Sequence, residues 1–324
     1  MFFPKPSRLF FAAWNRGRFI KVSHEVTAQC NLHCSFCLRA RIINSHDADT
    51  YQIQRCMDGF AHYGTVFWSF NGGEPLVRED IGALAEYGSK LGFAATLVTN
   101  GILLADRISE LKGIQHVEIS IDGPPDIHDG LRGQGVYEKA IRGLAAAASK
   151  GWARHIFATL FACNVSEQNL DHLVRLTKEF GAGLEFQPVY IRKECSKSDL
   201  NIAAPSTEQL KSFAELVNNL KSAGAPIHVS PDYLQSWTIV PKPSCRSGYY
   251  DIWLDHQLQV SPCPVRSDEA IPYLQAFSGK GPDLHPTCRM CRLHSYWELN
   301  LIMASPCNFI KALSSAFIKS WPLG

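Results

Sequence analysis

The chain has 324 residues, 46% apolar and 19% charged, and its 32 Lys+Arg against 30 Asp+Glu leave a formal charge of +2. That balance describes a folded globule of one large domain, or a core domain with an appendage. It provides no basic field for nucleic acid and no acidic block for a solvating tail.

The first 20 residues carry prolines and basic residues through their apolar stretch and lack a small-residue cleavage site, so no signal peptide is read. From Lys21 onward short β-rich runs alternate with helical patterns. Strands are expected at Val22–Thr27, Thr65–Phe70, Ala94–Val98, His116–Ile121, Ile156–Phe161 and Leu184–Val189. Helices are expected at Thr50–Tyr63, Ile81–Leu91, Leu104–Leu111, Tyr137–Lys150 and Ser166–Phe180, several ending at a glycine such as Gly92, Gly151 or Gly181. Six such units predict an α/β fold with a parallel sheet, either a partial (β/α)6 TIM-like barrel or a doubly wound sheet. Ser206-Thr207-Glu208-Gln209 reads as a capping box opening a further helix to about Ala223.

After Gly224 prolines recur and the helical period vanishes. Tyr249–Leu254 and Gln257–Val260 are expected to pair as a hairpin, within a small cysteine-bearing module at about 240–295 that needs a metal to hold its shape. The resulting division is an N-terminal extension (1–20), the barrel (21–224), a linker and module (225–295) and a helical tail (296–324). In the tail Phe309, Leu313, Phe317 and Trp321 recur four apart, a stripe for docking on the body or a second subunit, with membrane-surface contact as the sharper alternative.

The 11 cysteines are the outlier. No apolar run approaches the roughly 20 residues that span a bilayer, and a secreted disulfide framework would be shorter. The expectation is therefore a cytoplasmic protein with metal-bound thiolates. Cys30, Cys34 and Cys37 form a C-x3-C-x2-C loop directly after the first strand. Three soft sulfurs on one loop suit three corners of an iron–sulfur cluster, leaving one iron open. Zinc sites usually pair C-x2-C motifs, and His33 inside the loop is a poor fourth ligand. Downstream, Asn71-Gly72-Gly73-Glu74-Pro75-Leu76 ends the second strand, Thr99-Asn100-Gly101 the third, and Ser120-Ile-Asp122-Gly123-Pro124 the fourth, ahead of His128-Asp129-Gly-Leu-Arg132. In order, these segments resemble the radical S-adenosylmethionine enzymes, including the branch of the anaerobic sulfatase-maturating enzymes.

The resemblance implies a [4Fe-4S] cluster on Cys30, Cys34 and Cys37, with S-adenosylmethionine chelating the unique iron. It places Phe36 by the adenine, assigns Ser120 and Arg132 to the cosubstrate carboxylate, and gives Gly72, Gly73, Glu74 and Pro75 the grip on its ammonium group. Asp122 and Asp129 read as turn and cap residues and His128 as a structural hydrogen-bonding residue. Cys245, Cys263, Cys288 and Cys291 resemble the family's twitch module and imply a second, auxiliary [4Fe-4S] cluster. The longer SPASM module would place a cysteine where Trp297 stands and a glycine near Leu258. A structural zinc on the same four thiols is the alternative. Cys56 and Cys163 read as small buried side chains, and Cys195, in a polar loop, as a candidate for hydrogen donation or substrate contact.

The implied reaction is reductive cleavage of the sulfonium to a 5′-deoxyadenosyl radical that takes hydrogen from a substrate carbon, with flavodoxin or ferredoxin as electron donor. Oxidation or rearrangement of a natural-product or lipid-like small molecule is the first expectation and peptide modification the second. A non-catalytic iron–sulfur or zinc-binding electron-transfer protein is the third; it explains the cysteines but not the GGEP segment or the Ser120/Arg132 pair.

Overall fold

The computed structural model describes residues 19–37, 46–189, 203–238, 247–264 and 270–277. Strands and helices alternate as β1 (Lys21–Glu25), α1 (Thr50–His62), β2 (Phe67–Asn71), α2 (Ile81–Lys90), β3 (Ala94–Thr99), α3 (Leu104–Arg107), β4 (His116–Ser120), α4 (Pro125–Arg132), α5 (Val136–Ser149), β5 (Ala153–Leu160), α6 (Glu167–Phe180) and β6 (Gly183–Pro188). They continue with α7 (Thr207–Ser222), α8 (Pro231–Ser236), β7 (Asp251–Leu254), β8 (Gln259–Ser261), β9 (Ile271–Pro272) and α9 (Tyr273–Phe277). The sheet order is β6-β5-β4-β3-β2-β1-β7-β8-β9. Strands β1 to β6 each pair in parallel with the next, as the six β/α repeats predict. Among the described residues the sheet does not close, so it is an open, barrel-like α/β sheet. The outer edge of β6 carries one parallel bridge, from Leu184 to Ile227.

Alternation sets the two faces. Trp68, Phe70, Leu97, Ile119, Ile156, Leu160 and Phe186 are wholly buried on the helix-covered face. Helix α1 meets that face with Ile53, Cys56, Met57 and Phe60, a spacing that keeps one stripe inward. The other face carries Ser69, Thr96, His116, Glu118, His155, Glu185 and Gln187, brought into line by the strand registers. Central parallel strands are commonly apolar on both faces; here the second face is polar.

Several expectations need revision. The segment holding His128 and Arg132, absent from the expected helices, is helix α4, with Pro125 at a first-turn position that needs no N–H. The helix expected at Leu104–Leu111 stops at Arg107 and tightens into a 3-10 turn over Ile108–Glu110. Two short helices, α8 and α9, interrupt the proline-rich region. Cys163 is exposed rather than buried, whereas Cys56 is buried as expected. The capping box at Ser206 forms, with Gln209 N donating to Ser206 Oγ at 3.1 Å and Ser206 N donating to Gln209 Oε1 at 2.9 Å.

The expected hairpin also forms, between β7 and β8, around a turn in which Leu258 N donates to Asp255 O at 3.0 Å. It is no free-standing unit: β7 lies parallel to β1 in the main sheet, with Lys21 opposite Asp251 and His24 opposite Leu254. The N-terminal extension up to residue 18, Cys195, Cys245, Cys288, Cys291, Cys307 and the tail at 296–324 lie outside the described residues. No helix of the described residues is long and apolar enough to cross a membrane.

The β1–β7 seam holds a charge pair between half-buried Lys21 and buried Asp251, Nζ to Oδ2 at 3.5 Å. Burial pushes Asp251 up from 3.8 to about 6, against the pull of Lys21 and the Ser23 hydroxyl. A group whose folded pKa is raised contributes stability below its unfolded pKa and loses it as pH rises through the folded value. The native protein should therefore lose about 1 kcal/mol between pH 5 and pH 7 through this carboxyl alone. Urea unfolding at the two pH values checks this: Asp251→Asn should remove that part of the slope, and an unchanged slope would refute the assignment.

Candidate functional site

The cysteine loop is rooted in backbone. Beyond β1, Val26 N donates to Asn71 O at 3.0 Å, Gly73 N to Thr27 O at 2.9 Å and Glu74 N to Gln29 O at 2.8 Å. Residues 26–29 thus stay zipped to the Gly72–Glu74 segment up to the residue before Cys30. Glycines 72 and 73 make this approach feasible. A Cβ at Gly72, whose φ is +145°, would lie 2.5 Å from Thr27 O, and one at Gly73 would lie 2.1 Å from Gln29 O. The close approach expected toward a ligand is therefore made to the chain that feeds the cysteines. Asp47 clamps the same segment from outside, accepting from Thr27 Oγ1 at 2.5 Å and Ala28 N at 3.0 Å. Arg78, paired with Asp80 at 2.7 Å, donates to Val26 O at 2.9 Å and Ala48 O at 3.0 Å.

Two further contacts fix the loop. Asn31 Oδ1 accepts from Asn100 Nδ2 at 2.8 Å, which gives the Thr99-Asn100-Gly101 segment a task. At the far side Ser35 donates from N and Oγ to Leu131 O, at 3.3 and 3.1 Å, tying the loop to α4.

Glu74 departs from the role that the resemblance implies. It is wholly buried, and its carboxylate accepts from Leu76 N at 3.1 Å, Thr99 Oγ1 at 2.7 Å and Asn100 N at 2.8 Å. Burial pushes its pKa up while these donors pull it down. The side chain joins the ends of β2 and β3, and Pro75 begins the buried 3-10 turn beside it. Only the backbone of this segment remains as a candidate grip on an ammonium group.

Across the loop sits Arg132. Its Nε donates to Asp122 Oδ2 at 2.6 Å and its Nη2 to Asp122 Oδ1 at 3.2 Å, both side chains being nearly inaccessible. Burial works against the guanidinium charge, but Asp122 outweighs it and holds the arginine pKa above its ordinary value. The guanidinium carbon lies 5.3 Å from the centroid of Phe36, whose other neighbour is Phe161 at 4.7 Å. Asp122 is therefore the arginine's buried counter-ion and not a turn residue. It also accepts from Thr159 N at 2.9 Å, while its own N–H donates to His128 Nδ1 at 3.1 Å. Burial, then Arg132, pushes His128 down to about 4, so it is a neutral acceptor and keeps its structural role. Asp129 caps α5 as expected, accepting from Gly135 N and Tyr137 N at 2.7 Å each. Ser120 stands at the end of β4, half-buried, opposite Phe157.

The three thiols are half-buried. Burial pushes Cys30 up and Cys34 up to about 11; the neighbouring thiols add to both shifts and Arg132 opposes them. Leu32 N already donates to Cys30 Sγ at 3.4 Å, as it would to a thiolate. Three soft donors on one rigid loop, beside a buried cation and with a backbone N–H aimed at sulfur, fit a metal–sulfur cluster. Of the other group, Cys263 is buried at the end of β8, where Ser261 Oγ donates to its carbonyl at 3.2 Å. Sequence reasoning missed Asp122 as a counter-ion and Asn100 as an anchor, although both lie inside the motifs it singled out.

Comparison with known proteins agrees with this geometry. The chain is 33% identical over 171 residues to the AdoMet-dependent heme synthase of Methanosarcina barkeri, which covers 50% of this chain and 48% of that protein. It is 28% identical over 256 residues to the PqqA peptide cyclase of Streptomyces rochei, covering 74% of this chain and 65% of that one. The chain spans about half the length, or less, of the first curated relatives it matches. Among solved structures, Streptococcus suis SuiB bound to S-adenosylmethionine superposes with a TM-score of 0.64 at 17% identity, over 76% of this chain and 61% of that one. The anSMEcpe enzyme with bound AdoMet and a peptide superposes with a TM-score of 0.60 at 17% identity, over 92% and 97%. Residues 24–179 match the family model of the Radical SAM superfamily.

Proposed function

We propose that this chain is a radical SAM enzyme in which Cys30, Cys34 and Cys37 hold a [4Fe-4S] cluster and the surrounding segments hold S-adenosylmethionine. The observation that carries the proposal is the locked C-x3-C-x2-C loop, zipped to the Gly72–Glu74 backbone and flanked by the Arg132–Asp122 pair. When bound, such a cluster supplies the electron that opens the sulfonium and so generates the oxidant for an unactivated C–H bond. Asp122 takes Nε and Nη2 of Arg132, which leaves Nη1 with Ser120 to orient a carboxylate. The carbonyls of the Gly72–Pro75 segment serve an ammonium group, and Phe36, backed by Phe161, serves the adenine. These groups position the reactants and keep water out.

The substrate is polar. The sheet face turned away from the helices carries Glu118 and Gln187, which favours a hydrogen-bonding substrate over a lipid-like one. A peptide substrate is as well supported as a small molecule, since the relatives include a peptide cyclase. Cys245, Cys263, Cys288 and Cys291 are assigned a second, auxiliary cluster with an electron-transfer role, and flavodoxin or ferredoxin is the proposed donor.

Anaerobic reconstitution tests the reading. The loaded protein should hold about eight irons per chain, four per cubane, and release 5′-deoxyadenosine from S-adenosylmethionine under a strong reductant. Cys34→Ala should abolish that release and keep the second cluster's iron. Four irons in the native protein would remove the auxiliary cluster, and a fully loaded protein that forms no nucleoside would overturn the assignment.

A further inference from the structure

A second constellation lies at the other end of the strands. The first residue of β4, His116, places its Nδ1 3.3 Å from Thr96 Oγ1 and its Nε2 2.5 Å from His155 Nδ1 on β5. His155 Nε2 in turn lies 2.6 Å from His228 Nδ1 and 3.7 Å from Glu185 Oε1 on β6. His228 follows the one-residue bridge that Ile227 makes with Leu184, and its own N–H donates to Leu184 O at 2.8 Å. Lys221 donates to the carbonyl of Val229 and fixes the next residue. Register puts His155 opposite Gly183, and that glycine is the space the rings occupy: a Cβ there would lie 2.3 Å from His155 Cδ2 and 2.7 Å from His228 Nδ1. One ligand atom from each of His155, Glu185 and His228 falls within 4.8 Å of the others.

The order of protons in this chain decides its chemistry. When His116 Nδ1–H donates to the Thr96 hydroxyl and His155 Nδ1–H donates to His116 Nε2, each imidazole is neutral and oriented. His155 Nε2 is then left as an acceptor, facing His228 Nδ1 beside the Glu185 carboxylate. A cation can replace the proton between two imidazole nitrogens beside a carboxylate, and an imidazole whose second nitrogen is held by a hydrogen bond is the usual form of a metal-ligating histidine.

We infer that His155, Glu185 and His228 bind a divalent transition-metal ion, with Zn2+ as its representative, at the end of the sheet opposite the cysteine loop. Two imidazoles and one carboxylate are a common zinc donor set that leaves a position for water. Metal–nitrogen bonds of about 2.0–2.1 Å require the two nitrogens to part to roughly 3.3 Å, a small motion for exposed His228. His116 and Thr96 hold the ring of His155 from behind. The ion would join β5, β6 and the bridge segment, stapling the sheet where, among the described residues, one bridge covers the outer edge of β6. From His155 to Leu160 the strand runs roughly 16 Å, so the site is separate from the thiols.

Zinc titration of the protein with its clusters assembled tests this. The native chain should bind one more Zn2+ than His228→Ala or the shape-conserving Glu185→Gln, and the X-ray absorption edge of that ion should show only nitrogen and oxygen neighbours. Added Zn2+ should raise the melting temperature of the native protein and leave both variants unmoved. Equal zinc in native and variant proteins, sulfur in the first shell, or no zinc bound at all would overturn the proposal.

Discussion

Alanine at position 73 should give a folded protein that no longer holds the iron of its first cysteine loop. The added Cβ would lie 2.1 Å from Gln29 O, 2.6 Å from Gln29 C and 2.9 Å from Ala28 O. All three are backbone atoms and cannot rotate aside, so the two segments must part. The bond from Glu74 N to Gln29 O goes with them, and with it the anchor immediately before Cys30. Overpacking of this kind costs about 1–3 kcal/mol, spent locally on the loop rather than across the sheet. Iron per chain after reconstitution should fall from about eight toward the about four of the second cluster, and 5′-deoxyadenosine formation should fall by at least about tenfold, equivalent to about 1.4 kcal/mol. Gly130→Ala is the control. It sits in α4 with nothing within 4 Å of its added Cβ, and should load iron as the native protein does. Full iron in Gly73→Ala would show that the glycine serves something other than this junction.

The second large effect belongs to Asp122. Changing it to asparagine keeps the shape but leaves Arg132 buried without its counter-ion. Breaking one side of a buried pair typically costs about 3–5 kcal/mol. Chemical denaturation of Asp122→Asn should show a loss of about 3 kcal/mol or more, with weaker S-adenosylmethionine binding because the guanidinium is no longer held on two sides. Removing both charges, as in Asp122→Asn with Arg132→Met, should cost less than the two single changes added together. A loss below about 1 kcal/mol in the single variant would mean that the pair is solvated and weak.

Periodicity made the scaffold legible. The six parallel strands, the helix at Thr50 and the box at Ser206 all stand within a few residues of expectation, because each is specified by its own local pattern. The cysteine loop was legible for the same reason. What escaped was whatever depends on distant partners. The residues that Gly72 and Gly73 approach lie about 45 positions upstream, so the sequence suggested a ligand there and not the segment that follows β1. Asp122 carries the composition of a turn, and only the return of α4 brings Arg132 onto it, ten residues later. The histidine row joins positions 39 and 73 residues apart, with no spacing to mark it.

The pairing of β1 with β7 has a consequence for how the chain comes together. A strand at residues 21–25 receives its second neighbour from residues 251–254, late in synthesis. Until then β1 is an edge, with open backbone groups and the root of the cysteine loop at its end. Contacts so far apart in sequence form slowly, since loop closure precedes any reward from pairing. Emerging chains are therefore most prone to mispairing on this side of the sheet, and sulfur ligands presented before Asp251 arrives stand on an unfinished support.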